Sequence, residues 1–342
     1  MRVLVTGGSG FFGAVLSKLL VERGHSVRVF DLVSGDGRPP EAEFIRGDIL
    51  DKAAVRGACA GVDWVFHNVA QVPLAKDRDL FWSVNRDGTE NLLLAAAEAK
   101  ARKVVYTSSS AVFGVPERNP VSESMTPRPQ EDYGAAKLAG EELCRRPEFS
   151  SLEAAVIRPR TILGPGRLGI FSVLFEWVAR GRNIPVLGRG DSLYQFVDAA
   201  DLAEACLLAA QRPGPGTYHC GTDRFGSMRD MLESLCAHAK TGSRVRSIPK
   251  APAVALMRLT SLLGFSPLGA YHSLMYGESF YFDVTKARRE LGWRPRRSNA
   301  EMIAESFDWY AAHRQAVLTA GAASAHRSAV KPGILDLVSR LL

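Results

Sequence analysis

The 342-residue chain has no low-complexity run and no repeat of fixed period, which excludes solenoids and propellers. It has no C-x-x-C pair. Its five cysteines, Cys59, Cys144, Cys206, Cys220 and Cys236, are odd in number and scattered. That argues against a disulfide framework or a zinc site and fits small buried hydrophobes in a reducing cytosol. No metal ion is expected. The most apolar stretch, Ala251–Leu263, contains Arg258 and is too short to span a bilayer. Nothing resembling a leader precedes the apolar segment Arg2–Val5, so a cytoplasmic protein is expected. The formal net charge is +7, yet the basic residues are spread, with only short clusters such as Arg294, Arg296 and Arg297. Without a basic stripe interleaved with aromatics, nucleic acid is not an expected partner. The charge reads as solvated surface and attraction for anionic small molecules.

What is present is ordinary globular composition, 46% hydrophobic and 23% charged. The first half alternates short apolar runs with helical patterns. The candidate strands are Val3–Val5, Val27–Phe30, Phe44–Arg46, Trp64–His67, Lys103–Thr107 and Ala154–Arg158. Helical patterns fill Phe12–Glu22, Phe81–Ala99 and Tyr133–Cys144. Unalternating strands between helices predict a parallel sheet covered on both faces. After Arg158-Pro159 the pattern is irregular, punctuated by Gly164-Pro165-Gly166, Pro213-Gly214-Pro215-Gly216 and Ser266-Pro267. Phe196–Ala210 is expected to return to the first domain as a strand and a helix.

Val5-Thr6-Gly7-Gly8-Ser9-Gly10-Phe11-Phe12-Gly13 follows a strand and opens a helix. Glycine permits the tight turn, and lets backbone approach a pyrophosphate at the helix N-terminus. Gly7, Gly10, Phe11, Phe12 and Gly13 are therefore candidate cofactor contacts. Asp31 ends the second strand, where a carboxylate accepts from a ribose diol and repels a 2′-phosphate, so NAD is expected over NADP. Asp48, with Ile49 after it, is placed to meet the adenine; a plain loop turn is its alternative. Arg28 reads as surface charge.

Tyr133 and Lys137 are four residues apart, on one face of a helix. A tyrosine ionises near pH ~10, and a neighbouring ammonium favours its phenolate. Thr107-Ser108-Ser109-Ser110 closes the preceding strand, where a hydroxyl can hold a substrate oxygen. Asn85 lies early in the helix before that, where its amide can anchor a proton relay.

Together with His67-Asn68-Val69-Ala70, Asn85–Thr89, Ser108–Gly114 and Arg158-Pro159, these segments resemble the extended short-chain dehydrogenase/reductases, over about residues 1–310. That group includes nucleotide-sugar epimerases and dehydratases and enzymes similar to 3β-hydroxysteroid dehydrogenase. The resemblance implies a Rossmann-type doubly wound α/β fold with a smaller C-terminal substrate lobe. The expected NAD-binding domain is 1–160, with 190–220 returning to it. The lobe is 161–189 and 221–312, and 313–342 is a tail ending in an amphipathic helix. By the same resemblance Tyr133 is the acid/base, Lys137 its partner and ribose ligand, Ser109 the catalytic serine, and Val69, Ala70 and Arg158 join the cofactor site. A homodimer is implied, pairing the Tyr133 helix with the one near Phe81–Ala99. The tail helix fits packing on its own protein or on a second copy; contact with a membrane surface is the alternative.

The departures select among branches. Sugar 4,6-dehydratases carry an Asp-Glu pair after the catalytic hydroxyl; here Ser110-Ala111 follows Ser109. Thr161 stands where nucleotide-sugar enzymes resemble each other in an Asn. Tyr194 and Met275 stand where they carry arginines for a diphosphate. Arg160, Arg167 and Arg189 are possible substitutes. The apolar segment Leu262–Phe282 suits an apolar or mixed substrate, or plain lobe packing. The favoured reading is a dehydrogenase or reductase similar to 3β-hydroxysteroid dehydrogenase. A nucleotide-sugar 4-epimerase and a catalytically silent NAD-binding scaffold are the alternatives.

Overall fold

Seven strands form one fully parallel sheet in the computed structural model, which describes residues 1–35, 37–71, 78–253, 255 and 277–319. In chain order β1 is Arg2–Thr6, β2 Ser26–Asp31, β3 Glu43–Arg46, β4 Trp64–His67, β5 Lys103–Thr107 and β6 Glu153–Pro159. The helices between them are α1 (Phe11–Glu22), α2 (Lys52–Cys59), α3 (Arg78–Trp82), α4 (Gly88–Glu98) and α5 (Asp132–Leu143). The chain runs outward from β1 through β2 to β3, then restarts on β1's other side with β4, β5 and β6. The loops after β1 and β4 therefore part at the sheet's carboxyl edge, where such folds bind ligands.

Strand residues feed two cores in alternation, as the pleat demands. Val3, Val5, Phe66, Val105 and Ile157 pack with Leu16 and Leu20 of α1 on one face. Leu4, Val65, Val104 and Val156 pack with Leu92, Leu93 and Ala96 of α4 on the other. Burial on both faces explains why these strands read as continuous apolar runs.

Two expectations need amendment. The single helix expected over Phe81–Ala99 is α3 and α4 joined by a π-helical turn, Ser83–Asp87. The strand expected to return at Phe196 does not join the main sheet. Further elements are β7 (Thr161–Leu163), α6 (Ile170–Ala179), β8 (Ile184–Leu187), β9 (Leu193–Tyr194), β10 (Phe196–Asp198), α7 (Ala199–Gln211) and β11 (Gly216–Cys220). β10 pairs with β7, and β11, after α7, is the strand added beside β6. The helix does return: its face of Ala203, Cys206 and Ala210 packs with the α1 side of the sheet. A strand, a helix and a parallel neighbour make a normal crossover, so β6 gains its partner only after the helix. The candidate lid Leu262–Phe282 is described only from residue 277, and Met275 and the helix expected in the tail lie outside the described residues.

The lobe is completed by β12 (Gly226–Ser227), α8 (Met228–Ala239), β13 (Val245–Ile248), α9 (Thr285–Leu291) and α10 (Asn299–Thr319). Its own core joins Phe171 and Phe175 of α6 to Leu232 of α8 and Phe307 and Tyr310 of α10. Among the described residues no helix is long and apolar enough to cross a membrane, and no cluster suits a metal ion. All five thiols are free, four of them buried.

Candidate active site

The glycine loop is built for close approach. A Cβ on Gly13 would lie 2.1 Å from the Gly7 carbonyl oxygen, so only glycine lets α1 start this near β1. Gly10 caps α1 without a side-chain hydrogen bond, and no acidic residue occupies the first turn. The first N–H groups of the helix are thus open to an anion. Phe11 and Phe12 are buried, 6% and 8% exposed, and brace that turn rather than face water. Asp31 accepts from the Ser9 amide at 3.0 Å and the Leu32 amide at 2.8 Å, which fixes its carboxylate at the loop. This cradle, with an acid beside it, fits a dinucleotide with an unphosphorylated ribose.

Around the cradle, Val69 and Ala70 follow β4 at the same edge, half-buried. Ile49 is buried, while Asp48 is exposed and accepts from the Leu50 amide at 3.0 Å. Asp48 thus shapes the local turn. Arg158 lies near the end of β6. Its guanidinium turns inward, donating from Nε at 2.8 Å and Nη2 at 2.6 Å to Glu141, and lies over the Phe113 ring at 5.0 Å. It is 3% exposed, and its side chain is a buried strut held by Glu141.

The catalytic candidates converge at the carboxyl end of β5. Glu131 caps α5, accepting from the Tyr133 amide at 2.8 Å and the Gly134 amide at 2.6 Å. A Cβ on Gly134 would lie 2.3 Å from the Ala111 carbonyl oxygen. This contact presses the Tyr133 turn against the Ser109 loop. Of three consecutive serines, Ser108 donates to Glu141 at 2.6 Å and Ser110 accepts from Arg160 at 2.8 Å, both buried. Ser109 is partly exposed, its Oγ accepting from the Ala111 amide at 3.1 Å. The half-buried Tyr133 meets Phe81 edge-on at 6.5 Å between centroids.

Lys137, 3% exposed, donates to the Thr107 carbonyl at 2.9 Å with its ammonium 5.0 Å from the Tyr106 ring centre. Burial pushes it down to about 8, against the opposing pull of Glu141 and Cys144. Asn85 lies in the π turn, a distortion common at functional sites. Its Nδ2 donates to the Phe81 carbonyl at 2.9 Å and the Gln71 carbonyl at 3.2 Å, and its buried Oδ1 has no hydrogen-bond partner.

Sequence reasoning assigned no role to two groups, Glu141 and His67. Glu141, fully buried, gathers Arg158, Ser108 and Arg145. Burial opposes its charge, but the Arg158 fork and Ser108 hold its carboxyl below the ordinary range. Its signal was its place one turn beyond Lys137. His67 lies between the Thr6 hydroxyl at 2.7 Å and the Thr89 hydroxyl at 3.0 Å. Burial, then the Lys137 charge, pushes it to about 3, so it is a neutral strut across β1, β4 and α4. Arg167 places its guanidinium 5.8 Å from the Phe11 ring centre, with Nη1 buried and unpartnered.

The model of the NAD dependent epimerase/dehydratase family matches residues 3–221. The chain is 53% identical to the y4nG protein of Sinorhizobium fredii, over 98% of this chain and 85% of that one. It is 30% identical to a UDP-glucose 4-epimerase of Streptomyces lividans, covering 91% of this chain and 97% of that one. It is 31% identical to a 3 beta-hydroxysteroid dehydrogenase/Delta 5-->4-isomerase of Mycobacterium tuberculosis, covering 97% and 96%. A solved structure of MoeE5 in complex with UDP-glucose and NAD shares 25% identity at TM-score 0.73, covering 92% of this chain and all of that one. The chain belongs to the NAD-dependent epimerase/dehydratase family, the extended short-chain dehydrogenase/reductases. It is accordingly an NAD-dependent enzyme of that superfamily.

Proposed function

We propose that the protein is a dehydrogenase or reductase acting at a secondary alcohol or ketone, on the branch similar to 3β-hydroxysteroid dehydrogenase, with a substrate that is apolar in part. The observation that carries this reading is the hydrogen bond between the Thr161 and Tyr194 hydroxyls, 2.8 Å long. Nucleotide-sugar enzymes are expected to carry an Asn at the first position and an Arg for the diphosphate at the second, and here two neutral groups bond to each other. Tyr194 also packs on Phe196 at 5.1 Å, which adds an aromatic wall.

In the oxidative direction Ser109 Oγ donates to the substrate oxygen and Tyr133, as phenolate, takes the alcohol proton. The buried Lys137 ammonium supports the phenolate and offers a donor to a ribose. Bound NAD supplies the hydride acceptor, held by the Gly7–Gly13 loop with Asp31 at its ribose. Asn85, with Oδ1 unpartnered, anchors the relay that returns the proton to solvent. In the reductive direction Tyr133 donates that proton instead.

The runner-up is a nucleotide-sugar 4-epimerase, favoured by the 30% identity to a UDP-glucose 4-epimerase. Incubation with UDP-glucose or a hydroxysteroid, read as sugar interconversion or as NADH formation, separates the two. Saturable interconversion of the sugar would overturn the choice. Tyr133→Phe should lower turnover by roughly 10²–10⁴-fold and leave NADH binding nearly intact. The same reading carries a cytoplasmic homodimer joined through α4 and α5. The exposed Leu94 of α4, at 45%, supports such an interface.

A further inference from the structure

Arg160 follows Pro159 at the end of β6 and is 1% exposed. Its Nη1 donates to Ser110 Oγ at 2.8 Å. The guanidinium carbon lies 3.9 Å from the Phe280 ring centre, 4.9 Å from that of Tyr194 and 5.9 Å from that of Phe282. Among the described residues it forms no ion pair, and Nε and Nη2 have no hydrogen-bond partner. Arg158, two residues earlier, meets the same need for a partner through Glu141.

A buried cation without an anion is costly. Aromatic faces offset part of that cost, but they meet the π surface and leave the N–H edge unbonded. The two open donors share one edge of the plane. That edge makes two parallel bonds to a carboxylate or a phosphate. Ser110, which holds the third nitrogen, directly follows Ser109. Thr161 and Tyr194, alongside, are partly exposed.

We infer that the Nε and Nη2 edge of Arg160 holds an oxyanion of the substrate, beside the hydroxyl or ketone that Ser109 and Tyr133 address. The inference rests on the proposed reading in placing the substrate at Ser109. With that reading, the substrate is a hydroxy or oxo acid, apolar in its body and anionic at one end. A phosphate from a nucleotide sugar would meet the same fork.

The test is calorimetric titration of the NAD-saturated protein, so that the cofactor's own phosphate site is filled. The probes are 3-hydroxydecanoate, its methyl ester and UDP, against wild type, Arg160→Met and Arg160→Lys. The acid should bind the wild type and the ester should not. Binding should vanish in Arg160→Met and weaken at least about tenfold in Arg160→Lys, which keeps the charge but loses the fork. Arg160-dependent binding of UDP in place of the acid would uphold the oxyanion site and overturn the hydroxy-acid substrate. Equal binding of acid and ester, equal affinity in Arg160→Lys and wild type, or no Arg160-dependent binding of either anion would make Arg160 a core strut and refute the site. Should Arg160→Met fail to fold, Arg160→Lys decides alone.

Discussion

Lys137 carries a conflict that its chemistry requires. Its ammonium must be charged to support a phenolate, yet burial pushes it from 10.5 down to about 8. The unfolded chain keeps this proton up to about pH 10.5 and the folded chain loses it near 8, so stability rises with pH between those values. Lys137→Met should flatten that part of the curve of urea midpoint against pH. An unchanged rise would assign the titration to another group. The shared helix face of Tyr133 and Lys137 was legible from their spacing, while the choice of Ser109 among three serines came from the resemblance. Glu141 was not legible, since a glutamate on a helix reads as solvated surface until its partner is known. The Arg158 pairing was hidden for the complementary reason. The resemblance supplied its position at the sheet edge, but only packing reveals that Glu141 claims the guanidinium.

Among the elements, α5 owes its place to Gly134. Added to the Gly134 backbone, a methyl group would meet the Ala111 carbonyl, forcing the Tyr133 turn away from the Ser109 loop. Gly134→Ala is expected to lower kcat about a hundredfold while NADH binding changes little; wild-type kcat would contradict the close approach. In the lobe, α6 and α10 are clamped by Glu176, which accepts from Tyr310 at 2.7 Å and from Arg314 twice at 2.8 Å. Burial opposes its charge, yet the bonds from Arg314, Tyr310 and Arg180 hold its carboxyl at about 2. Its contribution is present in full above pH 4.5 and lost as pH falls through 2. Glu176→Gln should cost about 1–2 kcal/mol at neutral pH, since both arginines are partly exposed and screened. Equal stability of the two proteins at neutral pH would remove the clamp. Strands β4 and β5 were legible to the residue because both faces are buried. The π turn was not, because one inserted residue leaves helical spacing nearly intact. A three-residue run such as Phe196–Asp198 carries no mark of the sheet it joins.

At the scale of the whole molecule, the strand order brings three loops to one edge: the glycine loop after β1, Asn68–Gln71 after β4 and Ser108–Ser110 after β5. The lobe hangs from β6 through β7, so Arg160 and Thr161 reach toward that edge from the side opposite the glycine loop's strand. On the proposed reading, cofactor chemistry and substrate choice sit on separate elements. This is why the dinucleotide site reads clearly in sequence while the substrate does not.

A dehydrogenase or reductase, as proposed, exchanges its cofactor at each turnover, whereas a 4-epimerase recycles it in place. Denaturing the purified protein and quantifying the released nucleotide by chromatography tests the proposal directly. Well under one equivalent of NAD, with sites refilled reversibly by NADH, is the predicted result. Near-stoichiometric NAD that resists dialysis would contradict the proposal and favour an epimerase, and NADP in the released fraction would refute the role given to Asp31.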